Sequence, residues 1–167
     1  MATGKTTIGK ELVKSLSPSY KFVETDNLIE KMAKKTIPEI FSQKGETFFR
    51  KLEAKACKKV ASMKKVVISC GGGVILNKKN IVNLKKNCYL ILLKADIDTI
   101  YNRIIKDGKD RRPLINKKNP KNEIKKLMKV RKSLYEKYAD FSIETNNKKS
   151  EEIVKEILRE IGFESIK

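Results

Sequence analysis

Short β-rich runs alternate with longer amphipathic stretches along most of the chain. Apolar residues recur at helical spacing in residues 5–16, 28–34, 46–63, 81–86, 96–106, 121–138 and 150–161. The β-rich runs between them are residues 21–24, 66–70, 88–93 and 141–145. Strands that alternate with helices pair in parallel, and the helices cover both faces of the sheet. The pattern therefore predicts an α/β fold of three layers, doubly wound around a parallel sheet.

The composition limits the chemistry that this chain can use. Its length of 167 residues suits one domain with a buried core. Histidine is absent, which excludes Ser-His-Asp triads, Cys-His pairs and histidine-ligated metals. Cys57, Cys70 and Cys88 have no short spacing, so we expect reduced, partly buried thiols rather than disulfides or a zinc site. Catalysis therefore has to use carboxylates, lysines, arginines, backbone amides or a bound metal ion.

The net charge of +19 predicts an attraction for anionic ligands, and nucleic acid is one of them. However, the lysines are spread along the chain, mostly on predicted helix faces, rather than grouped on one surface. We therefore expect a solvated surface and no nucleic-acid partner. The longest apolar run, residues 89–93, is too short to cross a membrane, and no apolar signal segment follows Met1. These features predict a cytoplasmic protein without a membrane partner.

The first ten residues, MATGKTTIGK, match the second half of a Walker A phosphate-binding motif. A glycine lets the backbone approach phosphate oxygens, and N–H groups at the start of the following helix face the anion. Lys5 would contact the β- and γ-phosphates, and the Thr6 hydroxyl would bind Mg²⁺. The complete motif also needs a preceding strand and an earlier glycine. We therefore expect that the chain begins inside its own phosphate-binding loop.

Further candidate residues follow the predicted strands. The sequence ETD at residues 24–26 ends the first strand, at the edge where open α/β sheets bind ligands. Three glycines, residues 71–73, follow the second strand. Glycine loses more conformational entropy on folding than other residues, so three in succession suggest a place where the backbone lies against a ligand. Residues 107–120, DGKDRRPLINKKNP, form a polar stretch that is long enough for a lid.

Each feature also has a plain structural explanation. Asp26 could cap a helix, and Arg50 with Glu53 could form a surface ion pair at i,i+3. The glycines could form a simple loop, and Arg131 could be a solvated charge on a helix. The order and spacing of the whole set are much harder to explain in this way.

As a set, these motifs resemble the shikimate kinase family from Met1 to about Ile161. The matching motifs are GKTT, ETDNLIE, IPEIFSQKGETFFRKLE, the triple glycine, RRPLI and RKSLYEKYA. The resemblance implies a P-loop kinase domain over residues 1–167, with substrate-binding helices in residues 26–63 and a lid in residues 107–120. It implies a monomer that uses ATP and Mg²⁺. The reaction would transfer the γ-phosphate to the 3-hydroxyl of shikimate, giving shikimate 3-phosphate and ADP, in chorismate biosynthesis.

The resemblance also implies roles for the matching residues. Shikimate would be bound by Asp26, Arg50, Gly71, Gly72, Gly73 and Arg131. The two arginines would hold its carboxylate, with Glu53 orienting Arg50. ATP would be bound by Thr3, Gly4, Lys5, Thr6, Thr7, Arg112 and Asn146. Asp26 would take the proton from the attacking hydroxyl, while Lys5 and the lid residue Arg112 would stabilise the transferred phosphoryl group.

The chain departs from the family pattern in two places. Glu24 stands where the family more often has an aspartate that serves the Mg²⁺ ion, so the metal set would be Thr6 with Glu24. The first strand and the first glycine of the phosphate-binding loop are also absent. In this fold that strand lies inside the family's five-stranded sheet, so we expect its neighbours to be unpaired.

Three alternatives remain open from the sequence. The first is a P-loop kinase for another small acceptor, such as gluconate or a nucleoside monophosphate. The second is a basic nucleic-acid-binding protein, which would need a clustered basic face. The third is an inactive fragment of a kinase.

Overall fold

The computed structural model describes residues 2–107, 114–115 and 119–163. In this part of the chain the strands are β1 (Lys21–Glu24), β2 (Val66–Ser69), β3 (Ile91–Lys94) and β4 (Phe141–Glu144). The helices are α1 (Lys5–Ser15), α2 (Thr25–Ala33), α3 (Ile37–Ala61), α4 (Lys78–Lys85), α5 (Ile97–Asp107), α6 (Pro120–Tyr138) and α7 (Ser150–Glu160). One turn of 3-10 helix, Val74–Leu76, follows the glycines after β2. None of the described helices is both long and apolar enough to cross a membrane.

The strands form two parallel pairs, as the alternation of strands and helices predicts. β1 pairs with β2, with Lys21 opposite Val66, and β3 pairs with β4, with Ile91 opposite Phe141. In parallel pairs the carboxyl ends of both strands lie at the same edge. Glu24 therefore lies opposite Ser69, two residues before the first of the three glycines.

Strands β2 and β3 are not paired with each other, and no strand of the described residues lies between them. A cavity of about 1200 Å³ is lined by both strands. Val67 of β2 and Leu93 of β3 nevertheless pack against the same core cluster. The two pairs therefore belong to one layered core, with unpaired strand edges that face a common space.

Helices cover both faces of the strands. On one face, Leu12 of α1 and Ile157 of α7 are buried in the cluster that also contacts Val67 and Leu93. On the other face, helices α3 and α4 contribute a second cluster, which includes Val60 and Leu84. Apolar residues at helical spacing thus bury one stripe of each helix, as expected for a layer that covers a sheet. This arrangement confirms the predicted α/β fold.

Helix α3 begins nine residues earlier than the apolar periodicity indicates, at Ile37 rather than at residue 46. Thr36 and Glu39 form a capping box, and Pro38 occupies an early position that suits proline. Gly45 interrupts the helix with a φ of 73° and a ψ of 174°, so two helical segments meet at a kink. The sequence pattern located the segment after the kink and missed the one before it.

The strand predicted at residues 88–93 is shorter in the structure and begins at Ile91. The amide of Cys88 donates to the Leu84 carbonyl at 3.0 Å, so the backbone at Cys88 is bound to the last turn of α4 rather than to a strand. Local hydrogen bonding at the helix end therefore takes precedence over the apolar run. The helix predicted at residues 28–34 instead starts at Thr25, directly after β1.

The cysteines are unpaired thiols, as the sequence predicts. Cys57 is buried, and burial raises its pKa. Burial also raises the pKa of Cys70 to about 12. Both groups therefore remain protonated and unreactive near neutral pH.

Candidate active site

The start of α1 has the features of a phosphate-binding turn. Gly4 has a positive φ of 88°, and a Cβ atom there would lie 3.2 Å from the Ile8 side chain. Glycine adopts this left-handed conformation at the least cost. No side chain caps α1, and its first turn has no acidic residue. A helix start of this kind directs its first N–H groups and the positive end of its dipole toward an anionic ligand.

A hydroxyl and a carboxylate meet beside this turn. Thr6 Oγ1 donates to Glu24 Oε1 at 2.5 Å, and the Asn27 side chain donates to Glu24 Oε2 at 3.1 Å. Oxygen ligands of this kind suit Mg²⁺, which usually keeps several waters and shares substrate phosphates. Across the described residues, no group of three or more Cys, Asp and Glu side chains could hold a metal ion. The Thr6 hydroxyl and the Glu24 carboxylate therefore fit an Mg²⁺ ion that also binds phosphate oxygens.

Asp26 lies in the first turn of α2, immediately beyond the carboxyl end of β1. It does not cap this helix, because the residue before the helix is Glu24 and no side-chain cap is formed. Burial raises the pKa of Asp26, while the nearby Lys5 ammonium lowers it. A partly buried carboxylate beside a cation can orient a hydroxyl group and accept its proton.

Arg50 is held by two carboxylates on its own helix. Its Nη1 donates to both oxygens of Glu53, at 2.9 and 2.8 Å. Its Nε and Nη2 donate to Oε1 of Glu46, at 3.1 and 2.8 Å. Only 1% of Glu53 is exposed, and burial raises its pKa. Arg50 and Glu53 are therefore a partly buried positioned pair, which excludes the simple surface ion pair.

The three glycines press against the functional side chains. An added Cβ would lie 2.7 Å from Asp26 Oδ1 at Gly71 and 2.0 Å from Arg50 Nη1 at Gly73. At Gly72 it would lie 3.1 Å from the Tyr135 hydroxyl. Any larger residue at Gly71 or Gly73 would thus have to displace a charged side chain. The turn brings α2, α3 and α6 together at one place.

Arg131 projects from α6 toward this turn and is only 6% exposed. It is therefore not a solvated helix charge. Its guanidinium lowers the pKa of Glu53, although burial is the larger effect on that carboxyl and raises its pKa. Arg50 and Arg131 thus approach the glycine turn from two different helices.

Most of the predicted residues line one cavity of about 1440 Å³. These are Thr3, Gly4, Lys5, Thr6, Thr7, Glu24, Asp26, Arg50, Gly71, Gly72, Gly73 and Arg131. Asn146 does not line it; its side chain accepts a hydrogen bond from the Asp96 amide at 3.2 Å. Arg112, with most of the predicted lid, lies outside the described residues.

Three residues of the site were missed by the sequence reasoning. Thr25 accepts a hydrogen bond from the Gly71 amide at 2.9 Å, and Tyr135 donates to the Gly72 carbonyl at 2.7 Å. Arg103 donates to the Ala2 and Thr145 carbonyls, each at 3.3 Å. Only Tyr135 gave a usable signal, because it follows Arg131 by one helical turn.

The cavity combines two kinds of binding surface. One end has a helix start, Lys5 and a hydroxyl–carboxylate pair, which suit phosphate groups and a divalent ion. The other end has Arg50, Arg131, Asp26 and a close-packed backbone turn, which suit a small molecule with a carboxylate and hydroxyl groups. The geometry therefore suits phosphoryl transfer to a small hydroxylated acid.

Comparison with known proteins gives the same assignment over nearly the whole chain. A family model described as Shikimate kinase matches residues 1–162. The shikimate kinase of Caldanaerobacter subterraneus subsp. tengcongensis is 44% identical over 159 residues, which are 95% of this chain and 90% of that protein.

Solved structures agree with the sequence comparison. The structure of a shikimate kinase from Acinetobacter baumannii in complex with shikimate has a TM-score of 0.90 and 32% identity, covering 100% of this chain and 91% of that one. The Aquifex aeolicus shikimate kinase has a TM-score of 0.79 and 34% identity, covering 97% of this chain and 92% of that one.

Proposed function

This chain belongs to the shikimate kinase family, and we propose that it transfers the γ-phosphoryl group of ATP to the 3-hydroxyl of shikimate. The observation that best supports this acceptor is the meeting of Arg50, Arg131 and Asp26 around the triple glycine. The products are shikimate 3-phosphate and ADP, and the reaction belongs to the chorismate pathway of aromatic amino-acid biosynthesis.

Arg50 and Arg131 bind the shikimate carboxylate in this proposal. Planar guanidinium groups bind carboxylates through paired hydrogen bonds, which lysine cannot reproduce. Glu53 keeps Arg50 oriented through the bonds of 2.9 and 2.8 Å described above. The backbone of the three glycines lies along the ring, and Asp26 orients the attacking hydroxyl and accepts its proton.

The nucleotide is bound at the other end of the cavity. Backbone N–H groups around Gly4 and Lys5 hold phosphate oxygens, and the Lys5 ammonium stabilises the charge of the transferred group. Thr3 and Thr7 complete this surface. When bound, Mg²⁺ neutralises charge on the phosphate oxygens, and Thr6 with Glu24 would hold it.

Some parts of the proposal rest on the family pattern. Arg112 closes over the transferred phosphoryl group from a lid in residues 107–120, and the closed lid excludes water. Asn146 lies beside the adenine. Residues 26–63 form the substrate-binding helices of a single domain over residues 1–167. We further propose that the enzyme is a cytoplasmic monomer that uses neither a membrane nor a nucleic-acid partner.

A panel of phosphoryl acceptors tests the proposal. Purified protein with ATP and Mg²⁺ is offered shikimate, gluconate and a nucleoside monophosphate, and ADP release and the phosphorylated product are measured. We expect shikimate to have the highest kcat/KM. A preference for a nucleoside monophosphate would overturn the proposal, because such an acceptor has no carboxylate for Arg50 and Arg131 to bind.

The variant Arg50→Lys tests the acceptor end of the site. It keeps the charge and removes the forked donors, so we expect KM for shikimate to rise roughly 10- to 100-fold. KM for ATP should remain unchanged. Lys51, which follows Arg50 and is exposed, provides the control. The variant Lys51→Ala should leave both KM values unaltered. An equal loss of ATP affinity in Arg50→Lys would contradict the assignment.

A further inference from the structure

Tyr135 connects the glycine turn to helix α6. Its hydroxyl donates to the Gly72 carbonyl at 2.7 Å, across a separation of 63 residues in sequence. An added Cβ on Gly72 would lie 3.1 Å from this hydroxyl and 3.5 Å from Nη1 of Arg131. The middle glycine is therefore seated directly against the Tyr135–Arg131 pair.

The two side chains of this pair are adjacent on α6. Arg131 and Tyr135 are four residues apart, which places them on one face of the helix. Burial raises the pKa of the Tyr135 phenol, and the nearby Arg131 guanidinium lowers it. The phenol donates to Gly72 from the helix face that also carries Arg131, so its hydroxyl connects the backbone turn to the helix that positions the guanidinium.

The neighbouring contacts of the turn show why this link matters. Gly71 is bound by the Thr25 hydroxyl at 2.9 Å, and Gly73 packs against Arg50. The Gly72 carbonyl, which lies between them, is fixed from the α6 side by Tyr135. Among the described residues, the other side-chain hydrogen bond to the three glycines comes from Thr25, on the α2 side.

We propose that Tyr135 is a positioning residue, which sets the distance between the glycine turn and the Arg131 guanidinium and so determines how tightly a carboxylate-bearing ring is bound. This inference rests on the proposed function, because it names the acceptor end of the same site. Tyr135 itself need not touch the substrate. It acts through Gly72 and Arg131, and the nucleotide end of the cavity is outside its contacts.

The variant Tyr135→Phe removes one hydroxyl and keeps the ring. We expect KM for shikimate to rise about five- to tenfold, as for the loss of one buried hydrogen bond. The kcat and the KM for ATP should change less than about twofold. Tyr138 provides the matched control, because it is on the same helix and its ring packs against the cluster around Val60 and Leu84. Tyr138→Phe should leave all three values unchanged.

Hydrogen–deuterium exchange supplies a measurement that does not depend on the substrate. The Gly71 amide is bound to Thr25, and the Val74 amide donates to the Gly71 carbonyl at 3.2 Å. In Tyr135→Phe, exchange at these amides should be faster than in the wild type. In Tyr138→Phe it should match the wild type.

Two results would overturn the inference. One is a Tyr135→Phe enzyme with unchanged KM for shikimate and unchanged exchange at residues 71–74. The other is a parallel loss of kcat and both substrate affinities with a lower melting temperature, which indicates general destabilisation. If the wild type does not phosphorylate shikimate, the proposed function fails, and the exchange comparison alone then decides whether Tyr135 fixes the turn.

Discussion

At the scale of single residues, Asp26 has a property that its sequence position does not reveal. Burial raises its pKa, Lys5 lowers it, and Glu24 raises it further. The folded protein therefore holds this carboxylate at a cost relative to the unfolded chain. Because its pKa is raised, the ionised Asp26 carboxylate is a better proton acceptor than an exposed aspartate. The same ionised carboxylate makes the folded protein less stable at neutral pH.

The variant Asp26→Asn should separate these two effects. The pKa of Asp26 is higher in the folded state than in the unfolded state. The free energy of unfolding therefore decreases as pH rises from the unfolded-state pKa through the folded-state pKa, because the folded protein must then hold an ionised carboxylate. We therefore expect Asp26→Asn to have a higher melting temperature than the wild type at pH 7, and this gain to disappear under acidic conditions. The kcat should fall by about 100-fold or more.

The acid limb of the pH–rate profile gives an independent check. Wild-type kcat should fall with decreasing pH at a higher pH than an ordinary aspartate would give, since the pKa of Asp26 is raised. The residual activity of Asp26→Asn should lack this limb. A variant that retains both the limb and most of the kcat would show that another group accepts the proton.

The site residues that were predicted from the sequence have one property in common. Lys5, Arg50 and Asp26 stand in short motifs whose residue types match a specific chemistry. Thr25, Tyr135 and Arg103 were missed because their roles depend on contacts with residues far away in sequence. The Tyr135 bond, for example, spans 63 residues. Local patterns contain no information about such a contact.

At the scale of elements, α3 shows that a capping box can start a helix where the spacing of apolar residues does not predict one. Its first segment has the capping box of Thr36 and Glu39, and its second segment begins after the kink at Gly45. The second segment presents Arg50 and Glu53 to the cavity. The kink therefore changes the direction of the helix immediately before its functional residues, and apolar spacing alone did not reveal the segment before it.

Removing the cap tests how much the first segment depends on it. The Glu39 amide donates to the Thr36 hydroxyl at 3.4 Å, and the Thr36 amide donates to the Glu39 carboxylate at 2.7 Å. We expect Thr36→Ala to lower the free energy of unfolding by about 1 kcal/mol, measured by urea denaturation. Ser42→Ala in the same segment should change it by less than half as much, because a hydroxyl in mid-helix contributes little. Equal effects of the two changes would contradict a capping role.

At the scale of the whole molecule, the two strand pairs of the described residues share a packed core and are not hydrogen-bonded to each other. The strands β2 and β3 line a common cavity of about 1200 Å³ and pack against shared helices. The sequence pattern predicted the class of fold and the parallel pairing. The unpaired edges of β2 and β3 were expected only from the family resemblance. Local sequence patterns do not contain the order of the strands in a sheet, because that order depends on contacts between residues far apart in sequence.

Amide exchange should show these unpaired edges directly. In a parallel pair, successive amides of a strand point to opposite sides. Within Val66–Ser69 and Ile91–Lys94, amides that bond to β1 or β4 should therefore exchange slowly, and those facing the cavity should exchange faster. Uniform protection along both strands would show that the cavity closes in solution and that β2 and β3 pair with each other.

Filling the cavity tests whether the unpaired edges limit stability. An extended apolar segment of about five residues that ends in glycine, joined before Met1, could pair with both β2 and β3. We expect it to raise the melting temperature, since a gain of 1 kcal/mol corresponds to about 2–4 °C in a chain of this size. It should also slow exchange at the cavity-facing amides. The control segment carries prolines, which cannot donate ladder hydrogen bonds. Equal stabilisation by both segments would show that strand pairing is not the cause.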